Sequence, residues 1–131
     1  MATQQLAAGN GIALPAGEDL QGKAFHLVRL NNSGQVVVPT ASTDLPIGVL
    51  QNDPPAGGAA EVLTLAGAVA KVVADGSTVA IAVGDTVGTN ASGKAVKKSL
   101  AGDWYIGVAL DASAVDGKLI RVLLTGPQQR A

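Results

Sequence analysis

Cysteine is absent from this 131-residue chain, and aromatic side chains are scarce. Without cysteine the chain can form no disulfide, no thiolate zinc site and no cysteine nucleophile. Phe25, Trp104 and Tyr105 are its only aromatic residues, and none is interleaved with the basic residues to form the stacking platform that single-strand binders use. The core must therefore come from Val, Ile, Leu and the 23 alanines, and self-association is a natural way to bury more apolar surface.

A strong charge of one sign and long apolar runs are also missing. The formal net charge is −1, with acids and bases scattered, so no long-range field recruits nucleic acid or an anionic membrane. The densest basic group, Lys94, Lys97 and Lys98, predicts a solvated turn. No uninterrupted run of about eighteen apolar residues occurs, and residues 1–6 do not resemble a signal peptide. We therefore expect synthesis in a cytoplasm, with no nucleic-acid or membrane partner.

An internal repeat is the most informative feature of the chain. Residues 28–67 align with residues 87–126 without a gap, at a constant offset of 59. The identical pairs are Val28/Val87, Asn31/Asn90, Ser33/Ser92, Gly34/Gly93, Val37/Val96, Asp44/Asp103, Ile47/Ile106, Gly48/Gly107, Val49/Val108, Gly58/Gly117, Leu65/Leu124 and Gly67/Gly126. Because glycine is required where a chain turns through positive φ or approaches another backbone, both copies should have matching turns. Such a duplication usually builds shape rather than catalysis.

The pattern predicts an all-β chain, a compact barrel or sandwich of β-tulip type built from two pseudo-repeated halves. Residues 1–20 are rich in Gln, Gly and Asn and predict a flexible arm. Residues 21–126 predict a single β domain, and residues 127–131 a C-terminal tail. The predicted strands are Ala24–Leu30, Gln35–Val38, Ile47–Leu50, Glu61–Leu65, Ala68–Ala74, Thr78–Val83, Thr86–Thr89, Lys94–Lys97, Trp104–Leu110 and Lys118–Leu124.

Local patterns refine this prediction. In Thr78–Val83 the apolar residues alternate cleanly, which favours a half-buried strand. Asn31-Asn32-Ser33 and Asn90-Ala91-Ser92 match a glycosylation sequon, but a glycine follows each, so both predict turns closed by side-chain hydrogen bonds. Residues 52–60, with two prolines, predict a surface loop.

Residues that could support catalysis are few. The only histidine, His26, falls in predicted strand Ala24–Leu30 on the face of Ala24, Val28 and Leu30, which favours a structural role. No Gly-x-Ser-x-Gly motif and no phosphate-binding glycine motif occurs. Four carboxylates could in principle form a calcium or glycosidase site, but their positions predict turns: Asp44, Asp103, Asp111 and Asp116. The sequence therefore predicts no catalytic residue, no metal site and no cofactor.

Two further features have alternative interpretations. Residues 81–87 resemble the Val-x-x-Gly-Asp-x-Val turn of biotinyl and lipoyl carrier domains, but no hairpin presents the lysine that those domains modify. Trp104 and Tyr105 are neighbours in a predicted strand and should point to opposite faces. One of them can fill the core while the other contacts a second subunit.

The second half resembles the small capsid cement or decoration proteins of tailed bacteriophages. The resemblance rests on Ile81–Asp85, Ile106–Ala112 and Ile120–Leu124, together with Ile47–Leu50 in the first half, and it covers roughly residues 20–126. Members of this family are compact, non-enzymatic β proteins. They bind the outside of the expanded phage head, commonly as trimers at three-fold and quasi-three-fold positions, and often carry an extended amino-terminal arm.

The resemblance implies a head decoration protein that stabilises the shell, with the major capsid protein and two further copies of itself as partners. It implies a location on the outer capsid surface of the virion, after synthesis in the host bacterial cytoplasm. The expected shell contacts lie in the arm, at Thr3, Gln4, Gln5, Leu6, Asn10, Ile12 and Leu14. The alternatives are a β domain of a phage tail, fibre or surface adhesin, and a small hydrolase or carrier domain.

Overall fold

The computed structural model describes residues 11–131. The predicted shell contacts Thr3, Gln4, Gln5, Leu6 and Asn10 lie outside the described residues. All regular structure in the described part is β, as predicted, and consists of these strands: β1 (Gly11–Pro15), β2 (Leu27–Leu30), β3 (Val36–Val37), β4 (Gly48–Leu50), β5 (Ala59–Leu63), β6 (Val69–Asp75), β7 (Thr86–Thr89), β8 (Ala95–Lys97), β9 (Trp104–Ala109) and β10 (Asp116–Gln129). No helix in residues 11–131 is long and apolar enough to cross a membrane.

The strands form two five-stranded sheets, one from each half of the chain. The first has the order β1-β5-β4-β2-β3, and the second is a closed barrel of order β10-β6-β8-β7-β9. Neighbours are antiparallel, except that β6 and β8 are parallel and meet at Ala74 and Ala95. An isolated parallel bridge between Ala16 and Val36 links the same two edges of the first sheet. Both halves therefore curl into the same arrangement.

The strand pairs correspond one to one, from β1 and β6 through to β5 and β10. Val28 pairs with Gly48 in the first half, and Val87 pairs with Gly107 in the second, at the offset of 59 that the sequence indicates. The same offset relates the β2–β3 pairs to the β7–β8 pairs. Matching registers across several strand pairs show that the repeat is a repeat of pairing as well as of sequence.

The gapless alignment fails at the last strand. Leu50 pairs with Val62, but Ala109 pairs with Val122 rather than with Arg121, so β5 and β10 correspond at an offset of 60. A register irregularity between Asp116 and Lys118 lies where the extra residue enters. Because side chains alternate along a strand, a one-residue slip would turn every side chain to the other face. Because β10 corresponds to β5 at an offset of 60, Val122 takes the place that Val62 has in the first half, and both side chains are buried.

Each sheet surrounds its own cluster of buried side chains, and two residues of the first half join the second cluster. Those residues are Leu27 and Val49. The first cluster contains Ala16, Leu20, Val28, Val36, Leu50, Ala60 and Val62. The rest of the second contains Ala70, Val72, Ala74, Ile81, Val87, Ala95, Ile106, Ala109, Ile120, Val122 and Leu124. The second core therefore includes side chains from both halves of the chain.

Hydrogen bonds also cross between the halves. The amide of Leu27 donates to the carbonyl of Gly93 at 2.7 Å, and the amide of Val73 donates to the carbonyl of Phe25 at 2.9 Å. Phe25 has a φ of 67°, the only positive value at a non-glycine residue in the described part of the chain. A side chain in that region is strained, and the carbonyl bond to β6 helps to hold it there.

Three sequence predictions differ from the structure. Thr78–Val83 is not a strand: only Ile81 forms a bridge, with Ser113, while Val79 and Val83 are exposed. Residues 11–20 are not part of a flexible arm, because β1 pairs along its whole length with β5 and Leu20 is fully buried. Residues 127–131 are not simply a tail, because β10 continues to Gln129, which pairs with Trp104.

The predicted turn chemistry is confirmed. The Oδ1 atom of Asn31 accepts hydrogen bonds from the amides of Ser33 and Gln35 at 3.0 and 2.9 Å. Asn90 does the same in the second half, at 2.9 and 3.0 Å. The glycine that follows each turn, Gly34 or Gly93, has a φ near +75° (74° and 77°). An asparagine at the start of each hairpin thus fixes its turn.

Candidate functional site

His26 is buried against the backbone of its own segment, as a structural role would require. It precedes β2, because the strand predicted from Ala24 begins only at Leu27. Its side chain is buried, and Nδ1 lies 3.1 Å from the carbonyl oxygen of Lys23 and 3.3 Å from that of Ala24. A neutral imidazole with Nδ1 protonated donates to these oxygens. Burial lowers the pKa of His26 below its ordinary value of 6.5, since a charged imidazolium is poorly solvated there.

This lowered pKa predicts a pH dependence of stability. The unfolded chain binds the proton more readily than the folded chain, so protonation favours unfolding as the pH falls below 6.5 and through the lower pKa of folded His26. We expect His26→Gln to lose less free energy of unfolding than the parent chain between about pH 7.5 and about pH 5.5. Urea denaturation at both pH values measures the difference. Equal losses in both proteins would contradict the prediction.

The carboxylates identified in the sequence lie apart, each with a local partner. The Oδ2 atom of Asp44 accepts from the amides of Thr40 and Ala41, and that of Asp103 accepts from the amide of Leu100 in the equivalent turn. These hydrogen bonds confirm the turn prediction for both residues. Within residues 11–131, no group of three His, Asp or Glu side chains could hold a metal ion.

Asp111 and Asp116 are engaged in ion pairs on the second sheet. Both carboxylate oxygens of Asp111 accept from the guanidinium of Arg121, at 3.0 and 2.9 Å. This bidentate pair lowers the pKa of Asp111 to about 2. Asp116 lies 2.9 Å from Nζ of Lys94. Both carboxylates are therefore engaged in ion pairs.

The basic group at residues 94–98 is not simply a solvated turn. Nζ of Lys97 lies 3.6 Å from Asp85. Lys98 is buried, and its Nζ donates to the carbonyl of Ser42 in the first half at 2.7 Å. Burial lowers the pKa of Lys98. This lysine is a link between the halves, and the group offers no free basic patch.

Trp104 and Tyr105 begin β9 and are both half-buried, so part of each side chain remains accessible. The hydroxyl of Tyr105 donates to Oε1 of Gln128 at 2.6 Å. The end of β10 therefore lies beside both aromatic residues. Their role in a subunit contact stays a prediction.

Two outward faces stand out from the rest of the surface, one on each half. The first, which we call the basic face, lies on the β6–β10 ribbon. Its cross-strand pairs are Val69 with Leu123, Lys71 with Arg121, and Val73 with Leu119. All of these side chains are exposed except Val73, which is half-buried. Large apolar groups thus surround two basic residues.

The second, which we call the recessed face, lies on the corresponding β1–β5 ribbon. Its cross-strand pairs are Ala13 with Glu61 and Pro15 with Ala59. Beside them is an open hollow of about 220 Å³ lined by Ala13, Leu14, Pro15, Gly57, Gly58 and Ala59. Sequence reasoning missed this face because it assigned residues 11–20 to an arm. The alternation of small and large residues in Gly11–Pro15 was the available signal.

Ile12 and Leu14 are half-buried, and Leu14 also lines the open hollow. Both lie in β1 and pack against the first core. Their role in a shell contact stays a prediction.

Comparison with known proteins identifies relatives of this fold. A family model described as phage cement protein matches residues 31–124. The chain is also similar to the crystal structure of the N base of head fiber gp8.5 in bacteriophage phi29, with 21% identity and a TM-score of 0.65. That match covers 92% of this chain and 98% of the other. No protein in the curated set matches the chain.

Proposed function

Because this chain belongs to the phage cement protein family, we propose that it binds the outer surface of the expanded bacteriophage head and stabilises the shell. Its partners are the major capsid protein and further copies of itself, as trimers at three-fold and quasi-three-fold positions. The family match over residues 31–124 carries this proposal. The family is a structural one, and the role needs no catalytic residue, cofactor or metal.

The described fold supports such a role. Two small sheets, each with its own core, form a scaffold whose turns are fixed by local hydrogen bonds. Asp111 and Asp116 are engaged in ion pairs, and Lys98 is buried as a link between the halves. Such a scaffold can provide surfaces that bind other proteins. A ligand that binds only the assembled, expanded shell stabilises it by mass action.

Residues before β1 are the proposed shell anchor. The proposed contacts there are Thr3, Gln4, Gln5, Leu6 and Asn10, and the half-buried Ile12 and Leu14 of β1 are proposed beside them. An extended segment can add a strand to an exposed sheet edge, where main-chain hydrogen bonds give affinity with little dependence on side-chain identity. Three such segments on one trimer raise the overall affinity through effective concentration.

The test is retention on expanded, undecorated heads, measured by sedimentation. We expect the full chain to sediment with heads, and a chain lacking residues 2–10 to bind at least about tenfold more weakly. This deletion ends before β1, so the described strands stay complete. A matched control replaces residues 2–10 with a Gly-Ser segment of equal length, which separates the effect of sequence from that of chain length.

Each outcome of this experiment addresses a different part of the proposal. Equal retention of the full and shortened chains would remove the anchor but leave head binding intact. No retention of the full chain on expanded heads would contradict the function itself. If the Gly-Ser control is retained as well as the full chain, the identity of the residues in this segment does not affect binding.

A fibre base is the second candidate function, because the chain shares its fold with the N base of a phage head fiber. A domain of a fibre, tail or surface adhesin would bind another fibre segment, cells or glycans. Binding to host cells without retention on heads would favour it. The third candidate, a small hydrolase or carrier domain, requires His26→Ala or a lysine substitution to abolish an activity while assembly stays intact.

A further inference from the structure

We propose that the basic face of one copy docks on the recessed face of a second copy, so that copies join head to tail into a closed ring. The inference deepens the proposed function, on which it rests for the number of copies, by naming the contact between subunits. The partner that docks on each face is a second copy of this chain. The two faces, which lie on equivalent ribbons of the two halves, differ in shape and in charge.

Shape distinguishes the two faces. The β1–β5 and β6–β10 ribbons occupy equivalent places in the two halves. Their outward residues nevertheless differ in size, because Val73 and Leu119 stand where the first half has Pro15 and Ala59. One face therefore projects, and the other has a hollow of about 220 Å³. A projecting apolar surface on one copy can fill a hollow lined by small residues on another.

The two faces also carry opposite charges, which favours the same contact between unlike faces. Lys71 lies at the centre of the basic face, and Glu61 lies in the pair beside the hollow of the recessed face. Among residues 11–131, neither side chain forms an ion pair within the molecule. Arg121 is compensated by Asp111. Lys71 and Glu61 are thus opposite charges, each available to the other across a contact between copies.

Contacts between like faces are disfavoured by the same observations. Two basic faces together would place Lys71 against Lys71, and two recessed faces would place Glu61 against Glu61 across facing hollows. A contact between unlike faces is heterologous, and a heterologous contact closes into a ring when its rotation permits. Each copy carries one face of each kind, so every copy in a ring makes two such contacts.

Charge reversal provides the first test, read by analytical ultracentrifugation of the full chain and repeated on heads. Lys71→Glu and Glu61→Lys are each expected to weaken self-association by about tenfold or more. The double variant restores an opposite pair, and its association should return to within about threefold of the parent value. Lys23→Glu, a charge reversal at a residue that belongs to neither face, serves as the control.

Cysteine cross-linking provides the second test, which does not depend on the stability of rings in solution. Because the chain has no cysteine of its own, Lys71→Cys and Glu61→Cys report only on the designed contact. Under oxidation, on heads or free, a chain with both substitutions should form covalent oligomers that end at a closed ring. Chains with one substitution should form no covalent oligomer, but a mixture of the two single variants should form covalent dimers.

The outcomes separate this inference from the proposed function. Efficient dimers of Lys71→Cys alone would show a contact between like faces and overturn the inference. A second result would also overturn the inference. If the chain bound heads with both cysteines protected from alkylation but formed no cross-link between copies, the shell protein would be the partner that covers the two faces. Rings that form but fail to bind heads would support the inference and contradict head decoration.

Discussion

Gly107→Ala is expected to lower the free energy of unfolding by about 3 kcal/mol or more. A Cβ atom at this position would overlap the carbonyl oxygen of Leu123 and lie 2.6 Å from Cγ1 of Val122. Leu123 belongs to β10, which is paired on both sides, so its backbone cannot move away without breaking the ladder. Urea unfolding followed by circular dichroism measures the change.

The repeat supplies a matched partner for this experiment. A Cβ at Gly48 would overlap the carbonyl of Leu63 and lie 2.7 Å from Cγ1 of Val62, so Gly48→Ala should cost about as much, roughly 3 kcal/mol. Gly102, with a φ of 86° and no atom within 4 Å of an added Cβ, is the control: Gly102→Ala should cost only about 1–2 kcal/mol, from its backbone conformation alone. Equal losses at Gly102 and Gly107 would refute the steric explanation.

Leu27→Ala is expected to cost about 3 kcal/mol and to destabilise both halves together. Leu27 is fully buried and lies in β2 of the first half, yet it packs in the core of the second half. Its truncation leaves a cavity where the two sheets meet. Trp104, the only tryptophan, reports on the second half by fluorescence, and circular dichroism reports on all strands.

Both probes should give one shared transition, shifted to lower urea in the variant. Leu100→Ala, at a side chain that is 70% exposed, should change stability by no more than about 0.5 kcal/mol. A shift in circular dichroism with unchanged Trp104 fluorescence would mean that the halves unfold independently. That result would contradict the role assigned to Leu27 in the second core.

Local patterns predicted much of this fold. Apolar runs separated by glycine and asparagine gave the approximate positions of β2–β10, and Asn31 and Asn90 marked hairpin turns that their own side chains close. The alternation of apolar residues at Thr78–Val83 wrongly predicted a strand, because a segment with strand periodicity needs a pairing partner to form one. The alternation at Gly11–Pro15 was overlooked, because the polar, glycine-rich composition of residues 1–20 indicated an arm.

The candidate interfaces were less predictable. The sequence pointed to Trp104 and Tyr105 because exposed aromatic residues are common at contacts, and that assignment is still a prediction. It gave no reason to compare residues 69–73 with residues 11–15, because the alignment began at residue 28. Whether a side chain such as Lys71 faces outward depends on which strand lies beside it, and that partner is β10, about fifty residues away in the chain.

The sequence by itself determined the turns, the all-β class and the family, because each depends on residues close together or on motifs kept in order. Tertiary structure alone decided the rest. The one-residue insertion at β10, the entry of Leu27 and Val49 into the second core, and the contrast between the basic and recessed faces all follow from pairing between distant strands. Strand pairing sets which face each side chain occupies, and no local pattern specifies it.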